Sequence, residues 1–263
     1  MNWTISPTGI VAAHFLCVDN GLDERASSRI AELVDLNWAS SPLCEPFPDA
    51  SPQPGRIDEI GAALVEGADA LRQVGHNAIF AMLAVKALRM MPDAATVPRI
   101  DGVCAMIRSF TPWRDVEPDP DVDPPPFADA AAASRFILRE ASAAVDRFVG
   151  LGQGYAGHML TFGQALVELA AMGDFGWAES CRTAFRKYVT VTRRGPEPES
   201  VPRPDHEPSD LRPTDSAYWE RRGDNAVDIG HAFKYPYSYY DLLRRAGDPD
   251  LTGAWDEKAY HLF

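Results

Sequence analysis

The sequence predicts an all-α fold, a single domain over residues 1–263 arranged as a helical array or an α/α toroid-like bundle with long proline-rich loops. Three observations lead there. Apolar residues recur at three- and four-residue intervals, strand-type alternation is absent over any useful length, and alanine is abundant where the helical spacing holds. In residues 57–74, Ile57, Ile60, Leu64, Ala68 and Leu71 mark one apolar face. Residues 77–91 are apolar on nearly all sides, as expected of a buried helix. Residues 97–110, 128–149, 158–172 and 175–191 have the same helical character.

Three stretches interrupt this pattern, near 42–54, 114–127 and 195–213. Each is rich in proline, which removes backbone donors and biases the preceding residue away from helix. They read as loops within one domain, because the histidine signal described below recurs on both sides of all three.

The 263 residues are enough to bury a sizeable core, and 46% hydrophobic against 24% charged residues is the balance of a folded chain. A formal net charge of -13 argues against nucleic acid or anionic lipid as partner, since phosphate binding needs clustered Lys and Arg. Cys17, Cys44, Cys104 and Cys181 form no CxxC pair, so the sequence supports neither a zinc ribbon nor a redox dithiol. The first residues lack the basic and apolar regions of a signal peptide, and no run is long and apolar enough to span a bilayer. The expectation is a cytoplasmic protein with a small-molecule partner, no nucleic acid and no membrane. Oligomeric state is not legible.

Histidine carries the chemistry. Of six, three follow glycine and open a mostly apolar segment with an aromatic four residues on: Gly75-His76 with Phe80, Gly157-His158 with Phe162, and Gly230-His231 with Tyr235. A looser copy has Ala13 before His14 and Val18 in the aromatic place. Glycine there permits unusual backbone angles or close approach of a neighbour. Histidine at a helix start projects from the end of the element, and the aromatic lies one turn deeper on the same face. Packed side by side, such helices would set His14, His76, His158 and His231 in one layer above Phe80, Phe162 and Tyr235, the candidate substrate pocket. The positive end of each helix favours the neutral imidazole that a metal ligand or general base requires. The plainer reading is that each histidine caps its helix and each aromatic is core. His206 and His261 read as solvated or locally bonded.

Lys234 lies three residues after His231 on the same helical face, in a very aromatic neighbourhood. Such a lysine usually extends to water. If buried, desolvation makes its neutral amine reactive. Pro236 predicts that this helix starts late or is kinked.

His14, the Gly75-His76 and Gly157-His158 helices, and the run His231-Ala232-Phe233-Lys234 resemble the questin oxidase-like family of α-helical oxygenases of aromatic polyketide metabolism. Some members hold non-haem iron with four histidines and a carboxylated lysine. The resemblance implies His14, His76, His158 and His231 as nitrogen ligands of a transition metal, iron by analogy. It implies Lys234 as the source of a carbamate oxygen.

Three functions follow as expectations. The first is a metal-dependent oxygenase acting on a hydrophobic aromatic small molecule. The second is a metal-free enzyme whose histidines act as acid and base, such as a cofactor-independent oxygenase. The third is a non-catalytic helical small-molecule-binding protein. Convergence of the four rings separates the enzymatic readings from the last. No Glu-x-x-His pair, nucleophile elbow, Rossmann or P-loop motif is present in the sequence.

Overall fold

The computed structural model describes residues 6–41, 49–114, 116–204, 207–224 and 229–263. The chain is all-α, 68% helical and without a strand among the described residues. In chain order the α-helices are α1 (Ser6–Asp19), α2 (Glu24–Val34), α3 (Asp58–Val65), α4 (His76–Met90), α5 (Val97–Ser109) and α6 (Ala130–Phe148). Then come α7 (Gly154–Ala171), α8 (Phe175–Ser180), α9 (Arg182–Arg194), α10 (Ser216–Arg221), α11 (Ile229–Ala246) and α12 (Pro249–Asp256). Aspartates 23, 129 and 248 start α2, α6 and α12 by accepting first-turn N–H groups.

The helices carrying the four expected histidines form a closed ring, with α1 against α4, α4 against α7, α7 against α11 and α11 against α1. They run in the same direction. Gly9 meets Gly230, and further along both helices Phe15 stacks on Tyr237 at 6.0 Å. Gln164 donates to Asp241 at 3.0 Å, and one turn on in each helix Arg245 pairs with Glu168. Lys86 pairs with Glu168 at 2.9 Å, the two lying equally far beyond His76 and His158. Parallel neighbours need return connections, which the remaining helices supply: α2 packs on α1, α3 and α5 on α4, and α6 on α7 and α11. One connected apolar core runs from Ala12 to Leu262.

The ring therefore has two distinct ends. Beyond the histidines, near the helix C-termini, lies a balanced charged layer. There Lys86 meets Asp19 (2.7 Å) and Glu168 and donates to the Tyr237 hydroxyl oxygen at 2.9 Å, while Arg245 meets Glu168 and Asp241. Cations near C-termini are favoured by the helix dipole.

Several expectations need correction. The helix expected over 57–74 stops at Val65, because the Arg72 guanidinium folds back over Gly67, where only hydrogen leaves room, and donates to the Gly67 carbonyl at 3.2 Å. The segment expected over 175–191 divides at Cys181 into α8 and α9. Pro236 neither delays nor ends its helix, since α11 runs unbroken from Ile229 to Ala246 around it.

The described residues of the 114–127 connector are non-helical as expected, but they are clamped. Arg182 donates to the Pro124 carbonyl (2.5 Å), Arg186 to that of Val122 (2.6 Å), and Arg193 and Arg194 pair with Asp121 and Asp119. Val122 and Phe127 are wholly buried beneath this strap. In the 195–213 loop, Arg203 N–H donates to the Gly150 carbonyl at 2.6 Å, beside the start of α7. Residues 42–48, 115, 205 and His206 lie outside the described residues.

Candidate functional site

The chain approaches His76 through a turn that few residues adopt willingly. Gln73 (φ 38°), Val74 (φ 57°) and Gly75 (φ 90°) are consecutive left-handed residues. For β-branched Val74 this conformation costs about 1–3 kcal/mol. The turn is pinned from outside: Gln73 N–H donates to Thr111 O at 3.2 Å and Trp113 N–H to Leu71 O at 2.7 Å. It delivers the Gln73 carbonyl to His76 Nδ1, so the strained peptide orients the ring.

The Gly-His repeat is an interlock. A Cβ on Gly75 would lie inside the Phe162 ring, four residues after His158. A Cβ on Gly157 would lie inside the Tyr235 ring, four residues after His231. Thus the aromatic of one copy seats on the glycine of the preceding copy, and ring-to-backbone contact sets the spacing of α4, α7 and α11. On the remaining side, a Cβ on Gly9 would stand 3.0 Å from Gly230 Cα, so α1 and α11 touch almost backbone to backbone.

This packing brings three histidines together. Ring centroids stand 5.0 Å apart for His76 and His158, and 5.1 Å apart for His158 and His231. His76 stacks on Phe110 at 5.9 Å and lies 6.4 Å from Phe80. Tyr235 stacks on His231 at 5.0 Å, and its hydroxyl is 3.2 Å from His158 Nδ1. His158 Nδ1 also faces the Gly154 carbonyl at 2.7 Å, which requires a proton on that nitrogen. In both His76 and His158 the carbonyl contact therefore fixes the tautomer with Nε2 as the acceptor. Both Nε2 atoms are buried and have no hydrogen-bond partner among the described residues.

All three rings are held neutral. Burial, with Lys234 as the next cause, pushes His76 and His231 down to about 3. Burial, then the charges of His76, Lys234 and His231, holds His158 well below the ordinary imidazole range. Lys234 is only 1% exposed, so it does not extend to water.

His14 does not join them. It lies in the middle of α1 rather than in a first turn, is exposed, and meets Phe15 edge-on at 5.3 Å. The parallel register explains this, since the Gly9–Gly230 contact places Ile10, not His14, level with His231. His14 is a full turn further, about 6 Å down the axis. Of the expected pocket, Phe80 and Tyr235 border the imidazoles, whereas Phe162 packs beneath Gly75 on Phe185 (5.4 Å) and Tyr188 (6.4 Å). His261 is buried and stacked on Tyr260 at 4.0 Å.

Three contributors had no sequence signal: Phe110 over His76, the strained Val74, and Gln153. Gln153 immediately precedes α7, is buried, and neither its amide oxygen nor its nitrogen has a hydrogen-bond partner among the described residues.

As a test for a metal, two imidazoles on one ion, at metal–nitrogen distances of about 2.0–2.1 Å, hold their centroids about 5 Å apart. The two measured ring pairs have that spacing, and neutral imidazoles with a free Nε2 suit iron, copper, zinc or nickel. As placed, however, no three His, Cys, Asp or Glu side chains among the described residues are arranged to hold one ion. No family model, curated protein or solved structure matches the chain. No helix among the described residues is long and apolar enough to cross a membrane.

Proposed function

We propose that His76, His158 and His231, with Lys234, form the reactive centre of a metal-dependent enzyme. One observation carries this reading: two rings anchor Nδ1 on backbone carbonyls and leave Nε2 buried without a hydrogen-bond partner among the described residues. A buried acceptor with nothing to accept costs about 1–3 kcal/mol. Ligation is the setting in which that cost is recovered, and a backbone carbonyl on the other nitrogen is the usual support of a ligating histidine.

His14 is left out, so the candidate ligands are three imidazoles, with Lys234 able to add an oxygen only as its carbamate. Iron is favoured by the family resemblance. Bound there, a metal would supply Lewis acidity and a position for O2. The chain's own part is to keep the imidazoles neutral, hold two of them by their Nδ1 protons, and exclude water. Phe80, Phe110 and Tyr235 offer aromatic faces to a hydrophobic, aromatic small molecule. Oxygenase chemistry on such a substrate is the most specific form of the proposal.

The test is metal content after anaerobic loading of purified protein with first-row divalent ions. Stoichiometric metal is expected, lost in His158→Ala and retained in His14→Ala; absence of bound metal under every loading condition refutes the proposal. Oxygen uptake across a panel of hydroxylated aromatics then tests the oxygenase form.

A metal-free acid–base enzyme is the second reading, favoured because no three His, Cys, Asp or Glu side chains among the described residues are arranged around one ion. His158, against the Tyr235 hydroxyl, would then move the proton. Turnover retained in chelator-treated protein shown to be metal-free decides for it.

A further inference from the structure

His76 and His158 are each only 8% exposed, so a small molecule reaches their rings only when the cover over them moves. Residues 110–114 cover His76: Phe110 stacks on its ring at 5.9 Å, and Thr111 and Trp113 pin the turn that precedes it. Next in the chain, the Arg114 guanidinium lies 4.9 Å from the Trp113 ring and 5.8 Å from that of Tyr155, in the first turn of α7. Arg114 also pairs with Glu197 at 2.8 Å. Further along the same loop, Arg203 N–H donates to the Gly150 carbonyl, and a Cβ on Gly152 would stand 3.4 Å from Arg203 Cδ. Gly150 and Gly152 lead into α7 and the Gly154 carbonyl that faces His158. Residues 197–203 therefore bridge the approach to one imidazole and the approach to the other. They form a stiff, exposed strap: residues 196–204 are exposed, Pro196, Pro198, Pro202 and Pro204 restrict the backbone, and Ser200 N–H closes a turn on the Glu197 carbonyl at 3.0 Å. At its root Gly195 is left-handed (φ 81°), with nothing among the described residues within 4 Å of a Cβ placed on it, a joint about which a stiff segment can swing.

We propose that residues 195–204 are the gate to the histidine cluster. Closed, Glu197 and Arg203 hold the 110–114 segment over His76 and the start of α7 beside His158; released, the strap lets that cover lift and admits small molecules to the rings. An ion pair as exposed as Arg114–Glu197 contributes little stability, which suits a contact that breaks at each passage. Arg114 is the stronger anchor, because it also faces two aromatic rings. The inference rests on the proposed function only in taking the cluster as the site; it concerns access and needs neither metal nor turnover.

The experiment treats the full chain, after metal removal by chelator, with diethyl pyrocarbonate, which acylates accessible neutral imidazoles, and reads each histidine by peptide mass spectrometry. Exposed His14 supplies the reference rate, and His261, buried outside the cluster, reports general loosening. His76 and His158 are expected to label far more slowly than His14. Glu197→Gln should speed both about threefold and Arg114→Met about tenfold, with His261 unchanged. Raising the salt to about 1 M should reproduce the Glu197→Gln rates in the wild type and add nothing to that variant, since it screens the same pair. Rates at His76 and His158 that Glu197→Gln leaves unchanged, or an acceleration shared equally by His261, overturn the proposal. Should Arg114→Met not fold, Glu197→Gln decides, because it alters only an exposed carboxylate. Since the protein is metal-free throughout, failure here is separate from failure of the metal-content test.

Discussion

Lowering the pH should unfold this protein through its imidazoles before most carboxylates are protonated. An unfolded histidine titrates near 6.5, whereas His76 and His231 are held down to about 3 and His158 well below its usual range. With the folded values depressed, the unfolded chain binds more protons below pH 6.5. The stabilisation is therefore complete above that pH and is lost progressively as pH falls from about 6.5 towards 3. At pH 5 the solution stands about 1.5 units below the unfolded pKa, so His76 and His231 have each lost about 2 kcal/mol of stabilisation. His76 and His231 together then cost about 4 kcal/mol and His158 acts in the same direction, against a total stability of about 5–15 kcal/mol for a typical domain. Urea midpoints of metal-free protein at pH 7.5, 6 and 5 measure this directly, and His231→Phe isolates one ring's share. A midpoint independent of pH between 7.5 and 5, or a His231→Phe protein with the full wild-type slope, would refute the claim that these rings are buried neutral.

Three further outcomes follow from packing, backbone and charge. Gly157→Ala drives a methyl into the Tyr235 ring and should cost about 1–3 kcal/mol in urea unfolding, with the Tyr235–His158 contact disturbed; a neutral result means the ring moves freely. Val74→Gly relieves a left-handed β-branched residue and should raise stability by about 1 kcal/mol, read as a higher melting temperature, while loosening the turn that orients His76. Glu168→Gln takes one of two carboxylates from both Lys86 and Arg245, which keep Asp19 and Asp241, and should cost about 1–3 kcal/mol; a loss below about 0.5 kcal/mol would show the layer to be solvated.

The repeat of glycine, histidine and aromatic was legible because it reports packing. Gly75 and Gly157 are glycine because Phe162 and Tyr235 occupy the space a side chain would need. The same repeat misplaced His14, since the looser copy at Ala13 falls inside α1 and out of register with the other three. Helix ends escaped for a related reason. Residues 66–74 keep an apolar spacing, yet the fold spends them on the Arg72 turn and the left-handed approach to His76, which no local propensity encodes. Gln153 and Phe110 gave no signal because their roles depend on what packs around them. The proline-acid connector revealed its irregularity in composition, but the arginines that clamp it lie about sixty residues later in the chain.

The parallel course of the four inner helices also governs when the site can exist. Its imidazoles come from residues 76, 158 and 231, and adjacent ring helices are joined only after a long excursion of chain. Such distant pairings pay loop-closure entropy before any contact rewards them, which slows folding. During synthesis α4 and α7 can meet early, but Gly157 stays bare until Tyr235 emerges to cover it. The wall is closed by α11, which touches α1 and α7 at once. Assembly of the cluster thus reports that the chain has been made through its last quarter, and a product truncated before Ile229 would carry two of its three imidazoles and lack the aromatic that seats on Gly157.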